Sequence, residues 1–166
     1  GKEIVVGKCI SDQVVSGLDV YIYRSGKTSK LLSAQYHKFL ACKPDSSEKT
    51  DLFLIQSADT DKAAAILYSY HDGEVICSSG TELSAAIIDI KQVMFSQLDS
   101  GEPAVYVASS YGDDEIITDV LAVSNGHITN VSQINASGTS VQTLRNYYVY
   151  ADDVDEDGIM EIPSLI

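Results

Sequence analysis

The chain has 166 residues, enough for one domain with a sizeable core, and 45% of them are hydrophobic, which argues against a disordered chain. The formal net charge of −13 argues against nucleic acid and against an anionic membrane surface as partners, because both would repel the protein. No apolar stretch approaches the 18 residues or so that a membrane-spanning helix needs. Ten Tyr, no Trp and frequent Val, Ile and Thr favour β structure.

The cysteines and the first residue give information on the thiols and on the origin of the chain. Cys9, Cys42 and Cys77 form an odd set that allows at most one disulfide and fits no zinc motif. Each lies in or beside an apolar segment, so we expect buried free thiols. The sequence shows no signal peptide and no initial Met, and Gly1 is typical of a cloning remnant, so we expect an excised or mature fragment.

Predicted strands recur along the chain in the same order. The first round comprises residues 3–7, 18–23, 28–32 and 36–42. After a polar loop the next strands are 51–56, 65–70 and 75–77, and then 103–107, 119–123 and 128–131. Turns at Gly26, Gly73 and Gly126 join the second and third strands of each round, and Asn125-Gly126 is a strong hairpin signal. These glycines are 47 and 53 residues apart, a spacing typical of propeller blades with four strands each.

The predicted fold is therefore all-β, with propeller-like repeats of four-stranded antiparallel meanders that amount to about three blades. An antiparallel β-sandwich with evenly spaced hairpins is the alternative. The repeats run roughly over residues 3–50, 51–102 and 103–160 of a single domain 1–166, and residues 161–166 start a fourth repeat. Further blades would lie outside this fragment, or the sheets would pack as an open stack.

One segment gives two conflicting signals. Apolar residues at helical spacing run from Leu83 to Met94, with Thr81 as a possible cap, whereas residues 88–91 alternate like a strand. The repeat requires a strand near residues 92–97. We predict that strand, with a short helix before it as the alternative.

The acidic run at residues 153–161 is the one stretch with clear chemistry. Calcium takes several oxygen ligands, and carboxylates at alternate loop positions can converge on one ion. The predicted ligands are Asp153, Asp155 and Asp157 at positions 1, 3 and 5, the carbonyl of Ile159 at position 7, and the carboxylate of Glu161 at position 9. Gly158 allows the sharp turn. The predicted unit is strand, structural calcium loop, strand, because the β-prone residues before the loop and Pro163 after it do not fit the helices of an EF-hand. A solvated acidic turn is the alternative.

Residues 153–163 resemble the D-x-(D/N)-x-D-G-x-x-E-I-P signature of FG-GAP/VCBS-type β-propeller repeats. The chain is similar above all to uncharacterised lipoproteins of Firmicutes, in which a T-D-V-type segment like Thr118-Asp119-Val120 precedes the final loop. The loops at residues 42–51 and 97–102 lack the alternating carboxylates, so we expect one cation site. The resemblance implies an exported bacterial protein that is held at the cell surface through a lipid anchor outside this fragment.

No catalytic motif accompanies the loop. Residues 113–115 are acidic but fit a solvated turn, the three His are isolated, and neither a G-x-S-x-G elbow nor a P-loop is present. Thr118-Asp119 fits a polar pair that starts a strand. The sequence therefore predicts a non-enzymatic extracellular module that binds an unknown protein or glycan. A carbohydrate-active enzyme with acids in a propeller-like cleft is the alternative, and a soluble intracellular β protein is a third interpretation.

Overall fold

The computed structural model describes residues 2–11, 14–24, 26–34, 38–42, 51–57, 61–71, 74–132, 143–146 and 149–163. Within these ranges the chain forms eleven strands and one 3-10 turn at Ile87–Asp89. The strands are β1 (Lys2–Ser11), β2 (Val14–Arg24), β3 (Lys27–Ala34), β4 (Lys38–Cys42), β5 (Asp51–Ser57), β6 (Ala63–His71), β7 (Glu74–Glu82), β8 (Ile90–Gln97), β9 (Pro103–Ser110), β10 (Ile116–Ser124) and β11 (His127–Asn130). The prediction of an all-β fold is confirmed.

The strands form three antiparallel meanders in which strands that follow one another in the chain pair side by side. The first sheet has the order β1-β2-β3, the second β4-β5-β6-β7 and the third β8-β9-β10-β11. No closed barrel forms among the described strands. These antiparallel meanders of three and four strands are consistent with the sandwich alternative. A propeller arrangement stays a prediction.

The sheets divide the chain at different points from the predicted repeats. β4 pairs with β5, and β8 pairs with β9, so the second sheet begins at Lys38 and the third at Ile90. The predicted repeat boundaries at residues 50 and 102 therefore fall inside the second and third sheets. The polar loop that suggests a boundary at residue 50 instead joins two strands of one sheet.

Each sheet contains a tight hairpin with two connecting residues. The flanking pairs are Arg24 with Lys27, His71 with Glu74, and Ser124 with His127. In the third hairpin Asn125 and Gly126 both have positive φ, 52° and 76°, as a type I′ turn requires. This turn matches the right-handed twist of its strands, and asparagine and glycine tolerate its backbone angles at least cost.

A shared irregularity relates the first hairpin to the second. The register of β2 with β3 shifts between Val20 and Tyr21, and that of β6 with β7 shifts between Leu67 and Tyr68. Both shifts lie four residues before the last paired residue ahead of the turn. The first and second sheets therefore share a register shift at the same place in their hairpins, and the repeat itself stays a prediction.

The second and third sheets pack face to face around one apolar core. The second sheet contributes Phe53, Ile55, Ala63, Ala65 and Leu67, and the third contributes Ile90, Val105, Val107, Leu121, Val123 and Ile128. Leu83, in the connection between the sheets, completes the cluster. Because β-branched and aliphatic side chains alternate on these strands, one face of each sheet is buried in this layer.

The other face of the third sheet is covered by the C-terminal segment. Tyr106 and Val120 form a second buried cluster with Ala151 and Met160, and Ile162 packs against it. β10 is therefore buried along almost its whole length, from Ile116 to Val123. Because β10 is covered on both faces, it provides a rigid support for the C-terminal segment.

The segment from Leu83 to Gln97, for which the sequence gives conflicting signals, contains both a short helical turn and a strand. The predicted strand at residues 92–97 is confirmed within β8, and the 3-10 turn at Ile87–Asp89 precedes it. Leu83 and Ile90 are buried in the layer between the sheets rather than along a helix face. No helix in the described part of the chain is long and apolar enough to cross a membrane.

The expectation of buried thiols is wrong for Cys77. This cysteine is free, but it is exposed, because β7 is the edge strand of its sheet and few neighbours cover it. Ile76 beside it is also 45% exposed. The side chains of Cys9 and Cys42 lie outside the described part of the structure.

Candidate metal centre

The acidic loop is closed at its base by a pair of backbone hydrogen bonds. The amide of Asp152 donates to the carbonyl of Glu161 at 3.2 Å, and the amide of Glu161 donates to the carbonyl of Asp152 at 2.9 Å. Ala151 and Met160, just outside and inside this pair, are buried against the third sheet. Strands are predicted on both sides of the loop, but the described residues there form isolated β-bridges. Residues 147–148 lie outside the part of the chain that the structure describes.

Three of the predicted ligands converge. The carboxylates of Asp153, Asp155 and Glu161 each place an oxygen within 4.8 Å of the others. Asp153 is half-buried and Asp155 is exposed, so the oxygens are open to solvent. Carboxylate oxygens are the ligands that calcium prefers, and three at this separation can share one ion.

Backbone amides inside the loop orient all three carboxylates, and Asp155 accepts the N–H of Asp157 on Oδ1 at 3.3 Å. Asp153 accepts the N–H of Asp157 on Oδ1 at 3.0 Å and the N–H of Gly158 on Oδ2 at 2.9 Å. Glu161 accepts the N–H of Val154 on Oε2 at 2.9 Å. A carboxylate has about four lone-pair sites, so these bonds orient each group and leave acceptor positions for a cation.

The turn of the loop depends on Gly158. Its φ is +88°, and a Cβ at this position would lie 3.3 Å from Nε2 of Gln97. Glu156 also has a positive φ, 62°, which is uncommon for a residue with a side chain. The glycine that the sequence motif places at position 6 therefore meets both a backbone and a packing requirement.

Of the two remaining predicted ligands, the carboxylate of Asp157 lies outside the converging group, and the Ile159 carbonyl stays a prediction. Asp157 uses Oδ1 to accept the N–H of Ile159 at 2.8 Å, which stabilises the turn. Ile159 is half-buried, and its backbone forms a parallel bridge with Gln97 at the end of β8. Both residues therefore shape the loop in the structure.

β8 fixes the position of the loop on the third sheet. The hydroxyl of Ser96 donates to the carbonyl of Gly158 at 2.7 Å, and the Tyr106 hydroxyl donates to the carbonyl of Gln97 at 3.1 Å. Burial raises the pKa of Tyr106, and the negative charges of Asp99 and Glu161 raise it further. The loop is thus joined to the second buried cluster through side chains that sequence reasoning missed.

Electrostatic repulsion within the loop is substantial. Residues 152–161 include six Asp and Glu and no Lys or Arg. Two like charges about 4 Å apart repel by about 1 kcal/mol in a water-like dielectric, and the three converging carboxylates form three such pairs. A divalent cation would turn this repulsion into attraction.

A second polar cluster lies in the layer between the second and third sheets. Asp119 of β10 is fully buried and accepts the N–H of Ser84 at 2.8 Å, the hydroxyl of Ser84 at 2.7 Å and the amide of Asn130 at 2.7 Å. Asn130 in turn accepts the hydroxyl of Ser132 at 2.7 Å. Asp119 lies inside the strand rather than at its start, and it ties the connection after β7 to the third sheet.

The third sheet also carries a buried arginine. Arg145 is 5% exposed and donates to the carbonyls of Val149 and Thr143 at 2.6 and 2.7 Å, and to the Thr118 hydroxyl at 3.1 Å. Desolvation by burial lowers the pKa of the guanidinium from its ordinary value. These bonds connect Thr143 and Val149 to Thr118 of β10 through Arg145.

The chain matches no known family model, and neither a curated protein nor a solved structure shows detectable similarity to it. The resemblance to FG-GAP/VCBS-type repeats therefore stays a prediction that depends on the acidic loop and the order of the strands. The chemistry of the loop has to be judged from its own geometry.

Proposed function

We propose that residues 152–161 bind one calcium ion and that the protein is a non-enzymatic extracellular binding or scaffolding module stabilised by this ion. The observation that supports the proposal is the convergence of Asp153, Asp155 and Glu161 within 4.8 Å on a loop whose backbone amides orient them. The ion would neutralise carboxylates that otherwise repel one another.

The carboxylates of Asp153, Asp155 and Glu161 would hold the ion directly. Asp157 and the carbonyl of Ile159 remain the predicted additional ligands, and water would complete a coordination number of six to eight. Three carboxylates suit calcium better than magnesium, which usually keeps several waters and takes only one or two carboxylates.

Binding would stabilise more than the loop. The loop connects to β8 through Ser96 and Gln97, and its base packs on the third sheet through Ala151 and Met160. Extracellular calcium modules have a Kd of roughly 0.1 to 1 mM. At about ten times Kd the ion adds on the order of 1.4 kcal/mol to the free energy of unfolding.

The partner and the location follow from the resemblance alone. We propose an exported bacterial protein at the cell surface, attached through a lipid anchor outside this chain, that binds a protein or a glycan. Extracellular calcium is abundant enough to fill a site of millimolar affinity, which is consistent with this location.

Calorimetric titration of the protein with calcium, after treatment with chelator, tests the proposal. We expect one site in the parent protein and a loss of affinity of at least roughly tenfold in Asp155→Asn, which removes one charge from the cluster. Glu156→Gln is the matched control, because this exposed residue lies in the same loop but outside the converging group. Equal affinities in the parent and Asp155→Asn would refute the assignment.

A further inference from the structure

Charge is distributed very unevenly along the chain. The first 50 residues hold eight of the eleven Lys and Arg but only five of the 24 Asp and Glu, a net charge of +3, whereas residues 51–166 carry −16. Such an asymmetry between parts of one chain points to an electrostatically driven contact. The overall charge of −13 hides this basic region.

The strand register gathers basic residues at one end of the first sheet. Lys2 pairs with Tyr23, the residue before Arg24, and Arg24 pairs with Lys27 across the β2–β3 hairpin. Residues 26–30, which include Lys27 and Lys30, are exposed. Lys30 lies 3.0 Å from Asp19, so part of its charge is offset within the sheet. We call residues 2, 24, 27 and 30 the basic end.

The acidic loop is the strongest concentration of opposite charge on the same molecule. It lies against β8 of the third sheet, whereas the first sheet contacts the second through β3 and β7. Val154, at the exposed side of the loop, is 75% exposed, and Glu156 is also exposed. The loop therefore presents both charge and apolar surface to a partner.

We propose that the basic end of one copy binds the acidic loop of a second copy, head to tail. The two surfaces have opposite charge, and complementary potentials both favour and orient an encounter. A long polyanion is a poorer occupant, because it would extend over the strongly acidic remainder of the protein. The acidic loop is short, and charges more than about 8 to 10 Å from the contact are screened at physiological salt, which limits the repulsion between two copies that each carry −13.

A head-to-tail contact uses two different surfaces of each copy, so it can propagate into rings or filaments. A bound calcium ion would reduce the negative charge of the loop, so the experiment is performed in excess chelator. Failure of the association would leave the calcium proposal standing, and failure of calcium binding would leave the association standing.

Sedimentation velocity over a concentration series tests the contact. At about 0.1 M salt we expect the parent to associate. At about 1 M salt, where the screening length falls from about 10 to about 3 Å, we expect association to weaken by at least roughly tenfold. Lys27→Glu should weaken it by a similar factor, and Lys91→Glu, which changes an exposed lysine on β8, should not. A parent that stays monomeric at 0.1 M salt would overturn the proposal.

A mixing experiment identifies the two surfaces. Lys27→Glu alters only the basic end and Glu156→Lys alters only the loop, so each variant alone should remain monomeric. An equimolar mixture should form a 1:1 dimer, because each variant retains the surface that the other has lost. A monomeric mixture, or equal association of both single variants and the parent, would contradict the head-to-tail contact.

Discussion

The buried carboxylate of Asp119 gives the sharpest test of how the second and third sheets are joined. Asp119→Ala removes the acceptor for both Ser84 donors and for the Asn130 amide while the layer around them stays closed. Hydrogen bonds to a charged group contribute about 1.5 to 3 kcal/mol each, and buried donors left without an acceptor are costly. Because the three bonds share one group, their losses do not add fully.

We therefore expect Asp119→Ala to lower the free energy of unfolding by about 3 to 5 kcal/mol. For a chain of this size, 1 kcal/mol corresponds to about 2 to 4 °C, so the melting temperature should fall by about 10 °C or more. Asp119→Asn keeps the shape but replaces one acceptor oxygen with a donor. It should lose about 1 to 3 kcal/mol.

Urea unfolding of the parent and the variants measures these differences from the midpoints, provided that the slope with denaturant is unchanged. Asp114→Asn is the control, because Asp114 is exposed in the turn before β10 and should change stability by less than about 0.5 kcal/mol. If the free energy of unfolding of Asp119→Ala lay within about 0.5 kcal/mol of that of the parent, the carboxylate would not join the sheets as described.

Three further predictions concern the third sheet and its loop. Burial first, and then Asp99 and Glu161, raise the pKa of Tyr106 above 10.0. The stability that the neutral phenol contributes is therefore complete below about pH 10 and is lost as pH rises through the folded-state pKa. In Tyr106→Phe, the free energy of unfolding in urea should depend less on pH above about pH 10, and an unchanged dependence would contradict the prediction. Gly158→Ala should cost about 1 kcal/mol or more in a thermal melt, because φ is +88° and the new methyl meets Gln97; a neutral result would mean that the turn is not as described. Arg145→Lys should cost about 2 kcal/mol or more in urea, since an ammonium group cannot reach the three acceptors of the planar guanidinium, and an unchanged midpoint would contradict that role.

The sequence predicts the local β structure well because its signals are local. The Asn125-Gly126 turn specifies a two-residue hairpin through backbone angles that few other residues adopt, and the structure has that turn. The apolar residues likewise place β5 correctly within one residue and β9 at its first residue, although β9 continues three residues beyond the predicted end. Which strands pair depends on residues outside the local sequence, so the predicted repeat boundaries differ from the observed sheet boundaries.

The buried polar residues could not be inferred from pattern alone. Asp119 looks like the polar start of a strand, because nothing in the local sequence shows that Ser84, 35 residues earlier, supplies its donors. One signal was available: Asp19 and Asp119 both lie five residues before the last residue of a β-hairpin strand, Arg24 and Ser124. In the loop, by contrast, the local motif predicts Asp153, Asp155 and Glu161 of the converging group, although Asp157 at the third alternate position lies outside it.

The central claim is that the acidic loop is a structural calcium site. Thermal melts of the parent and of Asp155→Ala, each in millimolar calcium and in excess chelator, test it most directly. We expect calcium to raise the melting temperature of the parent by about 3 to 6 °C and to leave that of the variant unchanged. No rise in the parent, or an equal rise in Asp155→Ala, would contradict the claim and make residues 152–161 a solvated turn.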